Sequence, residues 1–155
     1  MKPDELLSAM DVVEIQNLVY RYCWHIDHGD FDAMAQMFAH AEVTLPAGVH
    51  RNDPAGLAAV FREYVKVYPD GTPRTRHVTT NLIIEPESSS RATANSVVTV
   101  FQQTDELPLQ PIIGTRNFDR FEKVDGHWRF AARRIEMDLF GNLSAHMRLP
   151  VTPAI

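Results

Sequence analysis

Phe121-Glu122-Lys123-Val124-Asp125-Gly126-His127-Trp128-Arg129-Phe130 reads as two β-strands folded back on each other. Asp125-Gly126 at its centre supplies two residues that tolerate positive φ, the requirement of the tightest hairpin turns. Outward from that turn, residues 111–122 and 128–139 form the arms. Residues 91–103 read as a further strand, with Val97, Val98, Thr99, Val100 and Phe101 at its centre. Residues 76–85 are rich in β-branched side chains and are expected to stop at Pro86. These strands exceed the usual length of about five or six residues. Long antiparallel neighbours must twist, so the sheet is expected to curl.

Upstream of the sheet the apolar period becomes helical. Asp11-Val12-Val13-Glu14 has the pattern of a capping box, and Val12, Ile15, Val19, Tyr22 and Ile26 then recur on one face. His28-Gly29 closes that helix, and Asp30 caps a short second one that turns Phe31, Met34, Met37 and Phe38 inward. Residues 42–45 read as a short strand stopped by Pro46. Asp53-Pro54 then opens a third helix with Leu57, Val60, Phe61 and Tyr64 on its face. Residues 68–73 form a turn-rich loop, and residues 148–155, with Pro150 and Pro153, an irregular tail. Helices followed by an antiparallel run make an α+β fold, three N-terminal helices packed on one side of a strongly curved sheet. One helix cannot fill the concave face of such a sheet, so a pocket between the first helix and the sheet is the expected ligand site.

Composition sets the outer bounds. The 155 residues, 45% of them apolar and 23% charged, suit one globular domain spanning 1–155. A net charge of −5 argues against nucleic acid as the main partner, which needs clustered Lys and Arg. Cys23 is the only cysteine, so no intrachain disulfide forms. Met1-Lys2-Pro3-Asp4-Glu5 lacks the basic start of a secretory signal, and no apolar run reaches the roughly 18 residues of a membrane span. A cytoplasmic location, with no membrane partner, is the expectation. Seven histidines fall at no metal-ligand spacing, and no glycine-rich phosphate loop or Gly-x-Ser-x-Gly appears. The expectation is therefore neither metal nor cofactor, and among catalytic chemistries only proton transfer.

Residues 8–147 resemble the SnoaL-like proteins of the nuclear-transport-factor-2-like, or cystatin-like cone, superfamily. The resemblance rests on Glu14-Ile15-Gln16-Asn17-Leu18-Val19-Tyr20-Arg21-Tyr22, Asp27, Gly29-Asp30-Phe31, Thr75-Arg76-His77, Asn81 and the closing hairpin. It implies a cone-shaped α+β barrel. Scytalone dehydratase, hexachlorocyclohexane dehydrochlorinase and a bile acid dehydratase of that superfamily share an Asp–His pair in the pocket, which falls on Asp27 and His77. The tyrosine of the bile acid enzyme falls on Tyr22. This sequence departs from that enzyme at Val100 and Met137, where the relative carries a carboxylate and an arginine.

The side chains themselves leave more than one role open. Unperturbed histidine titrates near pH ~6.5, so His77 suits proton abstraction if an aspartate fixes its tautomer; it equally suits a strand-start histidine bonded to backbone or water. Asp27 sits at a helix C-terminus, where the dipole disfavours negative charge, so it needs a partner. That partner is His77, or else the carboxylate is solvated beside His25 or His28 or caps the Gly29-Asp30 turn. Tyr22 stands about 140° around the helix from Asp27 and either donates to a substrate oxygen or packs in the core. Asn117, Asp119, Thr115 and Phe121 share one face of a strand that borders the cavity. Tyr20, Phe61, Trp128 and Asn117 are the expected substrate-binding residues. Arg133 and Arg134 point to opposite faces, and one of them either binds an anionic group or pairs with Glu136 or Asp138, the ion pair being the expectation.

The function expected is a cofactor-independent, dehydratase-like lyase or isomerase. Its substrate is a small, largely apolar carbonyl- or hydroxyl-bearing compound, with His77 as base, Asp27 orienting it and Tyr22 or Asn117 donating. The alternatives are a non-catalytic small-ligand binder, or a structural subunit like the β subunit of aromatic-ring dioxygenases. The apolar outer sheet face, carrying either Val98 and Val100 or Val97 and Phe101, leads to the expectation of a homo-oligomer, dimer or trimer.

Overall fold

The computed structural model describes residues 6–149. Its elements are α1 (Ala9–Asp27), α2 (Phe31–Gln36), β1 (Glu42–Leu45), β2 (Gly48–Arg51), α3 (Pro54–Tyr64), β3 (Thr75–Ser88), β4 (Arg91–Gln102), β5 (Gln110–Val124) and β6 (His127–Phe140). The strands form one mixed sheet in the order β2-β1-β6-β5-β4-β3, antiparallel throughout except where β1 runs parallel to β6. This is the α+β architecture expected, with the helices gathered on the concave side. Register shifts in β3, β4–β5 and β5–β6 add bulges that curl the long strands, one of them at Asn81 with φ +52°.

Caps act where local sequence put them, with one exception. Asp30 accepts from the Ala33 amide and Asp53 from the Gly56 amide, with Pro54 in the first turn. The exception is α1, which is capped by Ser8 and not by Asp11. Ser8 Oγ accepts from the Asp11 amide while the Asp11 carboxylate accepts from the Ser8 amide. Asp11 also accepts from Trp128 Nε1 and Lys123 Nζ, both at 2.7 Å, so the start of α1 is pinned to the β5–β6 hairpin. Those bonds hold the Asp11 carboxyl far below the usual carboxylate range, the one from Lys123 most.

Two further expectations are corrected. β2 does not announce itself in the sequence, because Pro46-Ala47-Gly48 reads as a stop, yet the chain turns there and pairs back on β1. β3 continues through Pro86 to Ser88, since β3 is an edge strand and the missing N–H of Pro86 interrupts no second ladder. The irregular tail expected over residues 148–155 lies, from 150 onward, outside the described residues.

Alternation along β4 turns Val98 and Val100 inward, both 2% exposed, and leaves Val97 and Phe101 half-buried on the outer face. The core has two parts. One joins α1, α2 and α3 to Ala92, Ala94, Phe121 and Phe130; the other gathers Val98, Val100, Leu107, Ile112 and Ile113. Residues from both line a cavity of about 260 Å³ on the concave face. Among the described residues no helix is long and apolar enough to cross a membrane.

Candidate functional site

The wall of this cavity is built where α1 ends against the start of β3. Gly29, with φ +72°, turns the chain out of α1 and packs so tightly that a Cβ there would lie 2.1 Å from the carbonyl oxygen of Gly71. Only glycine allows both the left-handed backbone and this approach. The close contact docks the end of α1 onto the loop that feeds Thr75, which brings Asp27 to the first residues of β3.

There Asp27 is fully engaged. Its Oδ1 accepts from Thr75 Oγ1 at 2.8 Å and from His77 Nδ1 at 2.6 Å, and its Oδ2 accepts from the His77 amide at 2.8 Å. Burial pushes the Asp27 carboxyl up, but the His77 side chain, its charge, its amide and Thr75 together hold it below the ordinary value. With Nδ1 donating to a carboxylate, the remaining imidazole nitrogen, Nε2, is the acceptor, and His77 lines the cavity. His25 and His28 are not the partners of Asp27; His28 Nδ1 bonds the Trp24 carbonyl at 2.7 Å. Asp27 itself is absent from the lining and stands behind His77.

Of the other residues singled out in the sequence, Tyr22, Phe61 and Asn117 line the cavity. Asn117 Oδ1 accepts a long bond from Thr115 Oγ1 at 3.4 Å, and both side chains belong to the inward face of β5. Burial pushes the Tyr22 hydroxyl above its ordinary value, although Arg133 opposes it, so the group stays a protonated donor. Tyr20 and Trp128 do not line it. Tyr20 is 46% exposed on the outer side of α1, and Trp128 is buried with its indole N–H given to Asp11. Val100 and Met137 face the cavity, so the places where the sequence departs from the bile acid enzyme are apolar wall.

Arg133 behaves differently from its expected pairing. It donates through Nε and Nη2 to both oxygens of its cross-strand neighbour Asp119, each at 2.7 Å, and both side chains are fully buried. Its guanidinium lies 4.2 Å from the Tyr22 ring centre and 4.8 Å from that of Phe130. Arg134, on the outer face, pairs with Glu136 as expected, whereas Asp138 pairs with Arg116. Cys23 is buried against Thr79, and burial raises its thiol, which removes it as a nucleophile. Among the described residues no group of three or more His, Cys, Asp or Glu side chains is placed to hold a metal ion.

One lining residue had no signal in the sequence. His146 lies in the segment after β6, within Asn142-Leu143-Ser144-Ala145-His146, where neither period nor spacing marks it. It enters the cavity only because that segment crosses back to the end of α3, through the Val65–Met147 bridge.

A SnoaL-like domain model matches residues 8–134. The chain belongs to the SnoaL-like family. No curated protein matches it. Among solved structures it is similar to a Nostoc punctiforme protein of unknown function with a cystatin-like fold, at TM-score 0.70 and 24% identity, over 85% of this chain and 94% of that one. It is also similar to a protein provisionally assigned as a scytalone dehydratase from Novosphingobium aromaticivorans, at TM-score 0.65 and 23% identity, covering 84% of this chain and 85% of that one. A third is the hexachlorocyclohexane dehydrochlorinase LinA-type3 of Novosphingobium barchaimii, at TM-score 0.66 and 22% identity, covering 92% of this chain and 96% of that one. At these identities the likeness establishes the cystatin-like fold of this SnoaL-like chain.

Proposed function

We propose that this SnoaL-like protein is a cofactor-independent lyase or isomerase of the dehydratase kind, acting on a small, largely apolar compound that bears a carbonyl or hydroxyl group. The observation that carries the reading is the 2.6 Å bond from His77 Nδ1 to a carboxylate itself held by Thr75 and the His77 amide, at the wall of an apolar cavity. A carboxylate on one imidazole nitrogen fixes the tautomer and stabilises the imidazolium that forms when the other nitrogen takes a proton. His77 Nε2 is the base that removes a proton next to the substrate carbonyl. The imidazolium then returns that proton, to the departing hydroxyl in an elimination or to another carbon in an isomerisation. Tyr22 or Asn117 donates to the carbonyl oxygen as charge builds there. The names of two similar structures, a dehydratase and a dehydrochlorinase, are in keeping with elimination chemistry. Self-association through the outer sheet face is part of the same proposal.

Proton transfer is read directly by NMR, as deuterium uptake next to the carbonyl of small cyclic ketones in heavy water. Wild type is expected to exchange at least one such ketone, and His77→Ala to slow exchange by about 10²–10⁴-fold with the fold intact. Asp27→Asn should lower the rate while leaving ketone binding in place. Equal exchange in wild type and His77→Ala, or bound ketone recovered with no exchange at all, would leave a binding module. A stable complex with a separate catalytic chain would instead favour a structural subunit.

A further inference from the structure

Beyond His77, the cavity holds a second imidazole that the proton-transfer reading does not use. His146 is 5% exposed, lines the cavity, and its Nδ1 has no hydrogen-bond partner among the described residues. Nδ1 itself is closed off, and neither ring nitrogen bonds another described residue, so the edge of the ring that borders the cavity is left for a ligand to bond. The segment carrying it is clamped. The Lys66 amide donates to the His146 carbonyl and the Arg148 amide to the Tyr64 carbonyl, both at 2.8 Å, while the Ala145 carbonyl accepts from Tyr68 and Gln102. The ring is thus presented to the cavity by a fixed backbone. Burial, reinforced by His77 and opposed by Asp27, brings His146 down to about 4, so at neutral pH it is an uncharged ring with one donor and one acceptor.

Charge and size narrow what it meets. Among the described residues no Lys, Arg, Asp or Glu lines the cavity, Arg133 is matched by Asp119, and ionised Asp27 balances any proton on His77. An anion entering would lose its water without gaining net counter-charge. The cavity of about 260 Å³ exceeds the ~150 Å³ dry cavity that holds one benzene, and so has room for one or two fused rings.

We propose that His146 is a substrate-contacting specificity residue, hydrogen-bonding an uncharged hydroxyl or carbonyl on a one- or two-ring skeleton, in a pocket that rejects anionic versions of that skeleton. The proposal rests on the reading that this cavity is the substrate site, but it is tested by binding, whereas the role of His77 is tested by exchange, so either can fail alone. Calorimetry on the full chain compares 1-naphthol, 1-naphthoate and the set of isomeric naphthalenediols. The naphthol should bind at least about tenfold tighter than the carboxylate, and the best diol about three- to tenfold tighter than the naphthol, the worth of one added hydrogen bond. His146→Leu should abolish the diol advantage. His146→Phe, which keeps a planar ring without nitrogen, makes the same test should the leucine variant not fold. A diol advantage that survives in a folded variant, a carboxylate bound as tightly as the naphthol, or no binding of any probe would overturn the assignment.

Discussion

Asp27 and Asp119 are both buried carboxylates bonded to a basic side chain at 2.6–2.7 Å, and they differ in what the spare nitrogen of that side chain can reach. Arg133 spends two nitrogens on Asp119, covers its flat face with Tyr22 and Phe130, and keeps its third, Nη1, buried without a partner where solvent does not reach. His77 has only two ring nitrogens; one goes to Asp27, and the ring borders a cavity. The first pair is closed and serves packing beneath Tyr22. The second keeps its spare nitrogen on a ring that borders the cavity. Access, more than the strength of the pairing, separates a structural ion pair from one able to do chemistry.

The largest stability effect should come from breaking the closed pair. Arg133→Met leaves Asp119 charged and alone in the core, and chemical denaturation should show a loss of about 3–5 kcal/mol. Arg133→Met combined with Asp119→Leu should recover most of it, because the double variant strands no charge. Neither result is expected for His77→Ala, whose remaining carboxylate keeps Thr75 and the residue-77 amide.

Acid separates the regions next. His146 has a folded value of about 4 against an ordinary 6.5, so the unfolded chain binds its proton first as the pH falls. Stability should therefore drop between about pH 6.5 and 4, by something on the order of 3 kcal/mol, and His146→Phe should flatten that interval in a pH series of melts. Asp27 and Asp11 are shifted in the same direction, both held below their unfolded values, but from the lower carboxylate range. Their contribution stands above the ordinary carboxylate range and is lost only as pH falls below it. Gly29→Ala tests the junction that seats Asp27. A left-handed non-glycine residue costs roughly 1–2 kcal/mol, and the new Cβ must also push Gly71 away. Because that contact seats Asp27 at β3, the variant should lose exchange activity out of proportion to its loss in melting temperature.

Local chemistry marks most caps, the hairpin turn and the strand faces. Asp30, Asp53-Pro54 and Asp125-Gly126 punctuate the chain by their own backbone preferences, and alternation alone placed Thr115, Asn117, Asp119 and Phe121 on the inner face of β5. The cap of α1 was misplaced by three residues because Asp11 looks like a cap, although its carboxylate is bonded to Lys123 and Trp128 more than a hundred residues away. Trp128 and Tyr20 were drawn to the cavity by residue type, and side-chain direction on the folded elements sent them elsewhere.

Period, caps and turns are properties of a few neighbouring residues, so the order of the helices and of every strand but β2 was already fixed in the one-dimensional chain. The junction of Asp27 with Thr75 and His77, the choice of Asp119 over Glu136 for Arg133, and the entry of His146 into the cavity were decided only by the curl of the sheet and by where the segment after β6 crosses α3. Contacts between positions some fifty residues apart carry no local period, and packing alone selects among the partners a buried charge could take.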